Sequence, residues 1–184
     1  MASDHHLAHH AHHGHGHVEF RFCPRCAGLL DKQIVKANEP KRLVCQTCSF
    51  IFYQDPKVVA ATIFIIDGGI VLLKRGVEPG LGKWVFPGGY VDRNEAVHDA
   101  AVRETKEESN LEVKLGPLLN VYSYTRSAHV IVVYAAEVVG GVLAAMDESV
   151  EARVFKPAEI PWDELAFDST RDALRDYVRV YFGS

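Results

Sequence analysis

The stretch Gly88-Gly89-Tyr90-Val91-Asp92-Arg93-Asn94-Glu95, seven residues more, and then Arg103-Glu104-Thr105-Lys106-Glu107-Glu108-Ser109-Asn110-Leu111 decides how this chain is read. Two glycines after Pro87 read as a turn ahead of a helix from about Glu95 to Ser109. On that helix Glu104 and Glu108 are four apart and Glu104 and Glu107 three apart, which puts three carboxylates on one face within an arc of about 100°. Like charges so placed cost a few tenths of a kcal/mol per pair, so the cluster needs a compensating cation. Arg103 can answer Glu107 four residues on, but one guanidinium does not neutralise three anions. Oxygen-only ligands point to a hard ion, Mg²⁺ or Mn²⁺, of the kind shared between carboxylates and substrate phosphates. Taken alone, the same acids would also suit a solvated helix face. The glycine pair at its fixed distance favours the site.

Upstream, all four cysteines fall in two pairs, Cys23-Pro24-Arg25-Cys26 and Cys45-Gln46-Thr47-Cys48. Two residues between cysteines let one turn point both sulfurs at one ion, and two such turns complete a tetrahedron. Four thiolates leave no position for water, so the expected Zn²⁺ is structural. Leu29 to Val35 and Lys41 to Val44 read as short strands of a zinc ribbon over residues 18–54, too small to fold without its ion. Before it, residues 1–17 hold eight of the ten histidines and almost nothing to bury, so this tail is expected to be disordered, whether native or a tag.

After Tyr53 to Pro56 the chain turns apolar, and residues 55–184 read as the main domain. Val58 to Ile66, a tight turn at Asp67-Gly68-Gly69, and Ile70 to Leu73 suggest a hairpin. Leu111 to Leu115, Leu118 to Tyr124, Val130 to Val139 and Arg153 to Phe155 suggest further strands. A last helix carries an apolar stripe from Ala173 to Tyr181, with Ser169 and Asp172 placed like a capping box. Strands with helices in the middle and at the end imply a layered α/β domain. A net charge of -4 and the lack of a Lys/Arg stripe disfavour a nucleic-acid or membrane partner. With no secretory signal pattern, a cytoplasmic location is the default expectation.

Gly89, Glu95, Arg103, Glu104, Glu107 and Glu108, at their spacings, resemble the Nudix box of the Nudix hydrolase superfamily. The departures are Asn110 for the usual glycine, Thr105 for an aliphatic residue, and Asn94 for a common glycine, which suggests a different loop path there. Asn110 follows the helix where a left-handed backbone is wanted, and asparagine tolerates that conformation. The resemblance implies a Nudix α/β/α sandwich with a mixed sheet. It makes Glu104, Glu107, Glu108 and the carbonyl of Gly89 ligands of Mg²⁺ or Mn²⁺, with Arg103 and Glu95 orienting them. The metal would stabilise charge on the diphosphate and acidify the attacking water. Glu148 and Glu151 are candidates for an additional ligand or for the general base, or else surface acids at a strand end.

The ribbon, the Tyr53 to Pro56 junction, Lys74-Arg75, Trp84 to Gly89, Ile160-Pro161-Trp162 and Leu165-Ala166-Phe167 resemble ribbon-bearing Nudix enzymes that hydrolyse ADP-ribose or FAD. NADH is the second expectation, because Asn120 to Ser127 lacks the tryptophan and prolines of the NADH pyrophosphatases. A nucleotide-binding sensor without turnover is the alternative of another class, although no box carboxylate is lost. Tyr122, Tyr124 and His129 offer flat surfaces for a base, Arg126 and Arg75 contacts for phosphate; strand packing is the other reading of the tyrosines. The partner is then a small nucleotide, and the resemblance also implies a homodimer.

Overall fold

The structure, a computed structural model, describes residues 20–125 and 127–183. The histidine-rich tail and Arg126 lie outside the described residues. The chain forms two compact units that divide between Gln54 and Asp55.

The first unit is an antiparallel sheet of β1 (Leu30–Gln33), β2 (Arg42–Cys45) and β3 (Ile51–Phe52), in that order. Its third strand, two residues long, is too short to leave a periodic signal in the sequence. The buried residues among those described are few: Cys23, Cys45 and Leu43. Burial of one leucine contributes about 2 kcal/mol, far below the ordering entropy of some thirty residues.

The second unit runs β4 (Lys57–Ile63), β5 (Ile65–Ile66), β6 (Gly69–Arg75), β7 (Trp84–Val85), β8 (Gly88–Tyr90), α1 (Val97–Ser109), β9 (Leu111–Ser123), β10 (His129–Gly141), β11 (Ser149–Phe155) and α2 (Asp168–Phe182). Two short 3-10 turns, Pro157–Glu159 and Trp162–Glu164, precede α2. One mixed sheet has the order β8-β4-β10-β9, with β4 and β10 parallel; a second has the order β11-β6-β5, with β7 also on β6. Neighbouring residues of β4 face opposite layers. Ala60 packs with Ala100 and Ala101 of α1, while Ala61 packs with Ala173, Leu174 and Tyr177 of α2. Alanines at that contact let α1 lie close to the sheet. The two helices therefore cover opposite faces, which is the α/β/α sandwich. No helix among the described residues is long and apolar enough to cross a membrane.

Several local expectations are corrected. The run Val58 to Ile66 is not one hairpin arm: it breaks at Phe64, leaving β4 in the first sheet and only Ile65 and Ile66 paired with β6. The residues on both sides of the break are equally apolar, so periodicity cannot show it. Leu111 to Leu115 and Leu118 to Tyr124 join into one edge strand, irregular around Gly116-Pro117, where the edge tolerates a proline. No capping box forms at α2: Phe167 is its N-cap, and the Asp172 carboxylate accepts from Tyr124 Oη at 2.8 Å. Gly88 and Gly89 lie in a strand, not a turn.

Candidate functional site

The C-terminal half of α1 lies beside β8. A Cβ on Gly88 would stand 2.4 Å from Ala61 Cβ and 2.8 Å from the Ala60 carbonyl, so glycine is needed there, while one on Gly89 would stand 2.4 Å from the Glu104 carboxylate and displace it. The Gly88 N–H donates to Glu108 Oε2 at 2.9 Å, the only hydrogen bond to this carboxylate among the described residues, and Glu108 is 6% exposed. Burial pushes Glu108 up to about 7, against the Gly88 N–H and with help from the Glu104 charge. Burial raises Glu104 as well, against the pull of Arg103. The Glu107 side chain is half exposed.

Arg103 organises the acids. Its Nε and Nη2 donate to the two oxygens of Glu95 at 2.7 and 2.8 Å, Nη1 bridges Glu104 at 2.7 Å and Glu107 at 3.0 Å, and Nη2 reaches the Tyr90 carbonyl at 3.1 Å. This forked pair holds the Glu95 carboxyl down at about 2. The three box acids are gathered on one side of α1 but not closed around a point. Among the described residues, only the cysteines bring three or more ligand atoms within 4.8 Å of one another. The donor set nevertheless fits a hard cation, since Glu104 shares its arginine with Glu95 and Glu107, the buried Glu108 is held by a main-chain N–H, and the carboxylates offer only oxygen.

Arg75, at the end of β6, feels the same acids: its charge lowers the proton affinity of Glu108, and that of Glu148 raises it. Its Nη2 stands 3.9 Å from Glu148, its Nε donates to the Pro79 carbonyl, and its guanidinium covers the Phe167 ring at 5.5 Å. Glu151, in contrast, is tied to Arg153 at 2.7 Å and to Lys74 at 3.6 Å. The two late acids thus differ in neighbourhood.

Tyr122 and Tyr124 are not brought to the acids. They stand at the β9 edge, three strand spacings or about 14 Å from β8. Their hydroxyls donate to Asp176 and Asp172, each at 2.8 Å, beside a groove of about 460 Å³ also lined by Arg175 and Arg179. Tyr90 is the aromatic that sequence reasoning passed over. Half exposed and next to Gly89, it stacks on His129, its Oη 3.0 Å from Nε2, with the Lys57 ammonium 4.8 Å from its ring centre. Its place directly after the glycine pair was the available signal.

Asn110 has φ 59°, the left-handed cap expected of it, and its side chain donates to the Val142 carbonyl. Asn94 also takes a left-handed φ of 71°, the backbone conformation that a glycine adopts readily.

In the first unit the two cysteine turns share the same main-chain hydrogen bonds. Cys23 N donates to Gly28 O and Cys45 N to Phe50 O; Ala27 N donates to Cys23 O and Ser49 N to Cys45 O. Arg25 N and Thr47 N each approach the first sulfur of their turn at 3.4 Å. Ala27 and Ser49 both take positive φ, a strain of about 1 kcal/mol each. Sulfur separations of 3.3, 3.4 and 3.9 Å bracket the roughly 3.8 Å edge of a tetrahedron with 2.3 Å zinc bonds. The cysteines are unbridged, and the Cys48 and Thr47 N–H groups hold the Cys45 thiol down at about 6.

An α/β/α sandwich with an acidic box helix beside a glycine strand, joined to a four-thiol ribbon, is the architecture of ribbon-bearing Nudix proteins. The NUDIX domain model matches residues 56–177, and the Nudix N-terminal zinc-ribbon model matches residues 21–54. The chain belongs to the Nudix hydrolase family. It is 37% identical over 152 residues to the ADP-ribose pyrophosphatase of Methanocaldococcus jannaschii, covering 80% of this chain and 84% of that protein. It is 24% identical over 145 residues to the NAD-capped RNA hydrolase NudC of Pseudomonas fluorescens, of which it spans half. Among solved structures, a NUDIX hydrolase from Nitrosomonas europaea superposes with a TM-score of 0.83 at 33% identity, covering 90% of this chain and 94% of that one.

Proposed function

We propose that this enzyme hydrolyses the diphosphate linkage of a nucleoside diphosphate joined to a second moiety, ADP-ribose or FAD, and releases AMP. The observation that carries the reading is Glu108, buried beside Glu104 and held by one N–H from the strand that carries Gly89. Glu104, Glu107, Glu108 and the Gly89 carbonyl would hold Mg²⁺ or Mn²⁺, which neutralises diphosphate charge and acidifies water. Arg103, fixed by Glu95, sets the carboxylates' orientation. Arg75 faces the phosphates. A water oxygen attacks one phosphorus, its proton passes to Glu148, and the bond to the bridging oxygen breaks with that oxygen leaving on the other phosphate. Glu148 is preferred to Glu151 because it neighbours Arg75 and Glu108, whereas Glu151 is spent on Lys74 and Arg153. The flat, half-exposed Tyr90 ring offers a face to a base.

The Methanocaldococcus relative supports ADP-ribose; the NudC relative makes NADH the second reading. Incubation with FAD, ADP-ribose, NADH, NAD⁺ and nucleoside triphosphates, each with Mg²⁺ or Mn²⁺, should release AMP from ADP-ribose or FAD on chromatographic separation. Turnover confined to NADH would replace the first reading by the second. A homodimer is part of the proposal, and light scattering at a monomer mass would remove it.

A further inference from the structure

Thr105, where the family pattern has an aliphatic residue, lies between two proposed ligands and is completely buried together with Thr62 of β4. Their hydroxyl oxygens are 2.6 Å apart. Thr105 Oγ1 also donates to the Ala101 carbonyl at 2.7 Å, which uses its one proton. Thr62 must therefore be the donor in the bond between them, giving a directed chain from strand to helix. The same Thr62 donates its backbone N–H to the Pro87 carbonyl at 3.0 Å, directly ahead of Gly88. One residue of β4 thus holds the glycine strand through its main chain and the acidic helix through its side chain. These are the two halves of the site, and they otherwise share the Gly88 to Glu108 and Arg103 to Tyr90 hydrogen bonds.

We infer that Thr62 and Thr105 form a positioning couple that sets the distance between the Gly89 carbonyl and the carboxylates of Glu104 and Glu108, and with it the affinity for the divalent ion. The inference rests on the metal-site reading above. Neither hydroxyl touches substrate; both act through the atoms they hold. A burial argument alone would predict the opposite chemistry, since an aliphatic pair could fill this space without needing a partner for either hydroxyl.

The test is direct Mn²⁺ titration, read as free Mn²⁺ by electron paramagnetic resonance, on folded Thr62→Val, Thr105→Val, Thr62→Ser and Thr105→Ser, with Glu108→Gln alongside. The valine variants should bind Mn²⁺ about tenfold more weakly, the lower end of what outer partners of ligands contribute. Their kcat at saturating Mn²⁺ should recover, and the serine variants should keep wild-type affinity. Thr105→Val should be the worse of the two, because it strands a buried donor on Thr62, while Thr62→Val leaves the Thr105 proton on Ala101. A Thr105→Val protein that fails to fold leaves Thr62→Val and Thr62→Ser to decide. Unchanged Mn²⁺ affinity in the valine variants, with Glu108→Gln impaired, overturns the couple alone. Unchanged affinity in Glu108→Gln overturns the metal-site reading beneath it.

Discussion

The cysteine cluster and the carboxylate cluster are both built for a cation, yet they are assembled in opposite ways. The four sulfurs are drawn together by short-range backbone bonds in two equivalent turns, and their ligand atoms already lie within 4.8 Å of one another. The acids share a helix face but not a point, because Arg103 engages Glu104 and Glu107 while a strand N–H holds Glu108. A closed thiolate shell suits an ion that stays for the life of the fold. An open set of oxygens, partly paired to an arginine, suits an ion that arrives with or beside its substrate phosphates.

The sharpest way to break that contrast is to remove the first ion. Zinc binding in units of this kind is worth on the order of 10 kcal/mol and is folding energy for them. Chelation, or Cys45→Ser, should abolish amide protection across residues 20–54 and leave residues 55–183 folded, with one zinc per chain in the untreated protein. A reduced, zinc-free protein with a protected ribbon would end the distinction.

Next comes Glu108→Gln, which should lower kcat by about 100- to 1000-fold, the scale of losing one aligned charge-stabilising group, with the circular dichroism spectrum retained. An active variant would remove Glu108 from the ligand set.

The third test uses pH. The Glu108 carboxyl is raised to about 7 in the folded, metal-free protein against about 4.3 unfolded. Its neutral form is the favoured buried one, so the contribution is full below pH about 4.3 and is lost as pH rises through about 7. That loss amounts to about 4 kcal/mol. Thermal midpoints of metal-free protein should fall over this window, Glu108→Gln should flatten the fall, and Mg²⁺ should reverse it by favouring the anion. Glu95 runs the other way: held at about 2 by Arg103, it stabilises above the ordinary carboxylate range and ceases to as pH drops towards 2. A wild-type curve that does not fall between pH 4.3 and 7 would mean that Glu108 is not held as the structure has it.

The smallest expected effect concerns the far edge of the sheet. Tyr122→Phe should cost about 1 kcal/mol of stability, the value of its bond to Asp176, and leave KM unchanged. A raised KM would return Tyr122 to the substrate and extend the site along β9.

These contrasts follow how far each feature reaches along the chain. The cysteine spacing, the helix under Arg103 to Glu108 and the left-handed cap at Asn110 were legible because each is set by residues within a few positions, through turn geometry, a 3.6-residue period or a single φ. The break at Phe64, the strand conformation of Gly88 and Gly89, the loss of the α2 capping box, and the partition of Glu148 from Glu151 were not, because partners far along the chain decide them. Sequence alone determined which residues could hold ions. Tertiary packing decided which acids are buried, which are already paired, and that β4 ties the glycine strand to the acidic helix, since desolvation and hydrogen-bond satisfaction exist only once distant segments meet.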